Sequence, residues 1–170
     1  MIEKAEVGAL VCAFTGHRPE KLPWGGEESD PRCLALKQQL AGRVEQAFAL
    51  GYRAFCCGMA RGCDQYFAEA VLALALREPE VSLDAWLPCP EQADRWPEAD
   101  RQRYEATLLR CRHVFLTEPQ YTEGCMLRRN RAMLRQAGLL ISVYDGSGGG
   151  TGAAVRYAAA IGVPVLPVWK

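Results

Sequence analysis

Short apolar runs alternate with longer amphipathic ones along this chain. Gly8 to Phe14 (GALVCAF), Ala54 to Cys57 (AFCC), Val81 to Leu87 (VSLDAWL), His113 to Thr117 (HVFLT), Leu139 to Tyr144 (LLISVY) and Val163 to Val168 read as strands. Between them Leu36, Leu40, Val44, Ala47 and Phe48 recur at helical spacing, and Gly51 supplies a stop. Gln65 to Leu76 is almost wholly apolar and predicts a buried helix. Residues 91 to 111 read as a polar loop entering a helix, with Tyr104, Leu108 and Cys111 on its apolar side. Leu127 to Gln136 reads as a basic helix, and Ala153 to Ile161 as an alanine-rich one ended by Gly162. Residues 20 to 33 carry Pro23, Trp24, Gly25, Gly26 and Pro31, with Pro19 just before, and predict an irregular loop of the length that usually serves a function. Strands alternating with helices predict an α/β fold, a mainly parallel sheet of about six strands with helices on both faces, in one domain over residues 1–170.

Composition narrows the partners. In 170 residues, 20 basic side chains balance 20 acidic ones, so no long-range field draws nucleic acid or an anionic membrane. No apolar run approaches a bilayer span, and Met1 to Glu6 lacks a signal-peptide pattern, so a cytoplasmic location is expected. The eight cysteines include Cys12, Cys56, Cys57 and Cys111 in apolar or helical contexts, where free thiols pack as small hydrophobes. Without a CxxC pair, and with only His17 and His113, no metal site is expected.

Chemistry concentrates in three loops, each following a strand. Thr15-Gly16-His17-Arg18-Pro19 follows the first, Gly58-Met59-Ala60-Arg61-Gly62-Cys63-Asp64 the second, and Asp145-Gly146-Ser147-Gly148-Gly149-Gly150-Thr151-Gly152 the fifth. In open α/β sheets ligands bind beyond the carboxyl ends of the strands, so topology alone gathers all three loops on one edge. The glycine-rich loop is the strongest phosphate signal: successive N–H groups can form a nest, with Ser147 and Thr151 adding hydroxyls. It lacks the Gly-Lys-Ser/Thr of a Walker loop and the spacing of GxGxxG. Arg61 can pair with phosphate, while Asp64 can cap the following helix or accept from a hydroxyl. His17 offers an acid or base near neutral pH, against the commoner role of a hydrogen-bonding loop residue. Arg128, Arg129, Arg131 and Arg135 fit a solvated helix face or an anion contact, with Asn130 the polar residue to test. Trp24, Trp96 and Tyr121 suit base stacking and core packing equally.

On these three loops, together with Tyr121 and the pair Arg129-Asn130, the chain resembles the SLOG superfamily and, within it, the YpsA-like proteins. The resemblance covers nearly the whole chain and implies a Rossmann-like fold holding a nucleotide or nucleotide-derived ligand, such as ADP-ribose or an NAD-like molecule, with no cofactor firmly implied. It assigns the site to Thr15, Gly16, His17, Arg18, Gly58, Ala60, Arg61, Gly62, Asp64, Arg129, Asn130 and residues 145–152, and it admits homo-oligomers. The superfamily's Lonely Guy phosphoribohydrolases carry a PGGxGTxxE motif whose glutamate takes part in N-glycosidic hydrolysis. The matching segment here, Gly148 to Arg156, has no carboxylate at that place, which counts against phosphoribohydrolase activity. GMARGCD is similar to the SGxARGID element of the DNA-processing A proteins, which bind single-stranded DNA. The first expectation is a nucleotide-ligand binder. A nucleotide hydrolase using His17, Asp64 or Asp145, and a single-stranded nucleic-acid binder, are the alternatives, with nucleic acid disfavoured by the charge balance.

Overall fold

The computed structural model describes residues 11–169, so Met1 to Glu6 and the Gly8 to Leu10 part of the first expected strand lie outside the described residues. Six strands, β1 (Val11–Gly16), β2 (Ala54–Cys57), β3 (Ser82–Leu87), β4 (His113–Leu116), β5 (Leu139–Val143) and β6 (Val165–Trp169), form one sheet in the order β4-β3-β2-β1-β5-β6. Every pairing in it is parallel. Five helices connect them: α1 (Pro31–Ala49), α2 (Cys63–Arg77), α3 (Glu98–Leu108), α4 (Cys125–Leu134) and α5 (Gly150–Ala160). The fold is the expected α/β, Rossmann-like one. No helix among the described residues is long and apolar enough to cross a membrane.

Side chains of a strand alternate between the two faces of the sheet, and the central strands show it. Cys12, Phe14, Phe55, Cys57, Leu139, Ile141 and Val143 join the α1 and α2 side chains Leu36, Leu40, Phe67 and Val71 in one core cluster. Ala13, Cys56 and Leu140 join Met133, Leu134, Ala154 and Ala158 of α4 and α5 in the other. The first cluster holds large side chains, including the Phe14–Phe67 stack with ring centroids 4.6 Å apart. The second is built mostly from small ones. All eight cysteines are free thiols, and seven are buried.

Two boundaries differ from the sequence reading in ways that matter for the site. Residues 31–33, expected in the irregular loop, begin α1: the Asp30 carboxylate caps it by accepting from the Arg32 N–H (2.8 Å), and Pro31 occupies a first-turn position where no N–H is needed. Helix α5 starts at Gly150 rather than Ala153, so Gly150, Thr151 and Gly152 form its first turn instead of a free loop. Their N–H groups therefore point out of a helix terminus, where the backbone dipole favours anions.

Candidate functional site

Strand β1 lies between β2 and β5, which follow it in opposite directions across the sheet. At this reversal the loops after β1, β2 and β5 surround a cleft of about 620 Å³. Thr15, Gly16, His17 and Arg18 come from the first loop, Gly58, Ala60 and Asp64 from the second, Gly149, Gly150 and Thr151 from the third. Arg129 and Asn130 of α4 complete the part foreseen in the sequence. Phe14, Glu20, Lys21, Met126, Leu127 and Ala153 also line it. None of these six stands out along the chain: Lys21 follows Pro19 in a stretch without periodicity, and Met126 and Leu127 look like ordinary helix-start residues.

The first two loops are locked together. The Cys63 N–H donates to the His17 carbonyl (3.1 Å), and Gly62, at φ +84°, turns the chain into α2. A Cβ at Gly62 would meet that carbonyl oxygen at 2.9 Å, so both conformation and space require glycine. The His17 ring is buried, with Nε2 2.9 Å from Asp145 Oδ1 and 3.2 Å from the Asp145 backbone nitrogen. Asp145 Oδ1 also accepts from the Ser147 N–H (2.9 Å). Hydrogen bonds from Ser147, then from His17, hold the Asp145 carboxyl well below the usual range, so it is an anion at neutral pH. His17 and Asp145 thus tie the first loop to the third.

Beneath the cleft lies Arg129, the one cation of the basic helix that turns inward. The residue is 3% exposed; Nη1 donates to the carbonyls of Gly58 (2.6 Å) and Trp86 (2.9 Å), and Nε donates to Asn130 Oδ1 (2.7 Å). Nη2 makes no hydrogen bond among the described residues. Arg128 instead pairs with Glu118 (2.9 Å), Arg131 lies over the Tyr157 ring, and Arg135 reaches its hydroxyl. A Cβ at Gly58 would stand 2.4 Å from Arg129 Cζ, so the guanidinium occupies space that only glycine leaves. Gly58→Ala should therefore displace Arg129 and cost about 2 kcal/mol by overpacking, read as a lower urea midpoint.

Asp64 does not cap α2. Its carboxylate turns back, and Oδ2 accepts from the Ala60 N–H (2.9 Å), because the first turn of α2 is buried and Gly62 holds the cap position without a side-chain bond. Burial pushes its pKa up to about 6, against the pull of Arg129, the Ala60 N–H and Arg18. Burial also lowers Arg129, which remains a cation because guanidinium titrates far above neutral pH. Oδ1 makes no hydrogen bond among the described residues, so the cleft floor offers one carboxylate acceptor beside the Arg129 and Asn130 donors.

Arg61 lies elsewhere than the sequence suggested. Its guanidinium pairs with Asp100 (3.1 Å) and Glu20 (3.0 Å), and with Gly62 it lines a separate pocket of about 160 Å³ alongside Trp96 and Tyr66. The cation that faces the glycine-rich loop is Lys21, whose Nζ donates to the Gly148 carbonyl and lies 3.4 Å from the Ser147 hydroxyl. Asp145, Gly146, Ser147 and Gly148 form the outer course of that loop, and Gly152 packs against the Ser147 carbonyl within α5. Trp24 is buried in the core, Trp96 packs edge-on against Tyr104, and Tyr121 is exposed, so none of the three lines the cleft. Arg18 reaches across the cleft to Met126, with Nη2 2.8 Å from Sδ.

A family model, YpsA, described as the YspA SLOG family, matches residues 12–160. The chain belongs to this family. UPF0398 proteins of Bacillus thuringiensis (strain Al Hakam) and Bacillus cereus (strain AH187) are each 26% identical to this chain over 140 residues, covering 79% of it and 74% of theirs. The YpsA fold here is similar to two solved structures. DNA processing protein A from Helicobacter pylori, described for its single-stranded DNA binding mode, aligns with a TM-score of 0.64 at 15% identity, over 98% of this chain and 68% of that one. DNA processing protein A from Streptococcus pneumoniae aligns at 0.62 and 16%, over 98% of this chain and about half (52%) of that one.

Proposed function

We propose that the cleft binds a nucleotide or nucleotide-derived ligand through its phosphate. The observation that carries this reading is the placement of three cations, Arg18, Lys21 and Arg129, on the cleft wall with no carboxylate within ion-pair distance among the described residues. Two of them, Arg18 and Lys21, flank the same opening as the first turn of α5, whose N–H groups favour the same charge. Phe14, Met126, Leu127 and Ala153 supply apolar lining suited to a base, and Asp64 Oδ1 with Asn130 suits ribose hydroxyls. Lys21 therefore takes the role expected of Arg61.

The test is calorimetric titration with AMP, ADP-ribose and NAD. Lys21→Ala and Arg18→Ala should each weaken binding about tenfold, the scale of one charge-assisted hydrogen bond near 1.4 kcal/mol, whereas Arg61→Ala should leave affinity unchanged. Absence of binding by the unaltered protein at millimolar ligand would reject the reading.

A second reading follows from the likeness to the Helicobacter pylori protein: the same cationic opening would accept the phosphodiester of a single strand. That likeness weighs against the expectation, drawn from the balanced net charge, that nucleic acid is disfavoured. Oligonucleotide affinity falling steeply with salt would support it, and salt-independent or undetectable binding would dismiss it.

A further inference from the structure

The two edges of the sheet are treated differently. Edge strand β6 carries Pro167, preceded by Pro164; proline has no N–H to offer a further strand, and Arg43 Nε of α1 donates to the Pro167 carbonyl (3.1 Å). That edge is closed to another chain. Strand β4, at the other edge, has none of these devices. Its sequence is His-Val-Phe-Leu, with no proline and no acidic or lysine side chain, and all four residues are exposed. Parallel strands are ordinarily covered on both faces, yet Val114 is 47% exposed, Phe115 39% and Leu116 49%. Leu109, four residues before the strand, and Tyr121, five after it, are exposed as well.

We propose that β4 is a self-association edge, and that its partner is a second copy of this chain running antiparallel to it about a two-fold axis through Phe115. The flanking charges point to this occupant. The stretch reads Arg112-His113-Val114-Phe115-Leu116-Thr117-Glu118, basic at one end and acidic at the other. Antiparallel pairing centred on Phe115 sets Arg112 of each copy opposite Glu118 of the other, Val114 opposite Leu116, and Phe115 beside its own counterpart. Every apolar side chain of the strand then gains an apolar cross-strand neighbour, and both ends gain an opposite charge. Within its own chain Arg112 bonds Asp84 (3.0 Å), and Glu118 bonds Arg128 (2.9 Å) and Thr122 (2.6 Å). The cross-strand pairs therefore add to fixed, preoriented side chains. Two six-stranded sheets would become one continuous sheet with its apolar edge inside and its proline-bearing edges outside.

Light scattering on a dilution series should give twice the single-chain mass of 18.8 kDa at the concentrated end. Phe115→Glu and, independently, Val114→Lys should each give the single-chain mass throughout, with melting temperatures close to that of the unaltered chain only at dilutions where it too is a single chain. The register is tested by charge reversal. Arg112→Glu and Glu118→Arg should each weaken the dimer at least tenfold, since each places like charges opposite at both ends. Mixed in equal amounts, the two variants should form a heterodimer in which both ends pair again. A single-chain mass for the unaltered protein at every concentration overturns the proposal. So does a dimer that survives Phe115→Glu, or a mixture no more associated than its components.

Discussion

Replacing Arg129 with alanine should destabilise the chain by about 3–5 kcal/mol. Three effects act together. The carbonyls of Gly58 and Trp86 lose the donor that satisfies them, the space beside Gly58 empties, and Asp64 loses the cation that most offsets its burial. Arg129→Lys should recover part of the loss, since it restores charge but places one nitrogen where the guanidinium bridges two strand ends. Urea unfolding of the three proteins measures this directly. A second signature separates the electrostatic part from the packing part. Without Arg129 the Asp64 carboxyl should titrate above the value near 6 that it holds now, so the alanine variant should lose stability more steeply than the parent as pH rises through neutrality. A loss below about 1 kcal/mol, of the size of an ordinary exposed substitution, would show that Arg129 does not organise the cleft floor.

Asp64→Asn should stabilise the protein at pH 7.5 by about 2–3 kcal/mol while weakening ligand binding. The unfolded carboxyl titrates near 3.9, and the folded one at about 6. Between those values the folded chain retains a proton that the unfolded chain has released. Stability therefore declines as pH rises from about 4 to 6, by roughly 1.4 kcal/mol for each pH step of one, and stays lower above that. An asparagine at this position carries no ionisation penalty and can keep the bond from the Ala60 N–H. The parent's decline between pH 4 and 6 should therefore flatten in the variant. Chemical denaturation at pH 4.5, 6 and 7.5 reads the effect, and an unchanged slope across that window would refute it. The cost tolerated in the parent is characteristic of a group kept for binding: a buried carboxylate with one oxygen open to the cleft, held ionised at neutral pH by Arg129, Ala60 and Arg18.

Much of this molecule was legible along the chain. Strong 3.6-residue and apolar-run patterns marked five helices and six strands, because each element must bury its own apolar face whatever its neighbours are. The three loops that converge on the cleft could be named in advance, since parallel strands deliver their following loops to one edge. Glycine at positions 58 and 62 was also readable as a demand for space or positive φ. The chain alone could not say what each glycine accommodates. That Gly58 makes room for Arg129, 71 positions later, depends on α4 crossing the ends of β2 and β3. For the same reason the residues alone did not separate Arg129 from its neighbours Arg128 and Arg131, and only the resemblance marked the Arg129-Asn130 pair; the fold buries Arg129 and leaves the other two exposed. Arg61, beside the loop's glycines, read as the phosphate partner, but two carboxylates distant in sequence, Glu20 and Asp100, draw it to the far side of Pro19. Lys21 had no local pattern to mark it and reaches the glycine-rich loop only through the fold. Local sequence determined the elements and the edge where chemistry gathers, because those follow from short-range sterics and burial. Which side chains face one another across that edge was decided by the tertiary structure, because charge and hydrogen bonding act through space between residues the chain keeps far apart.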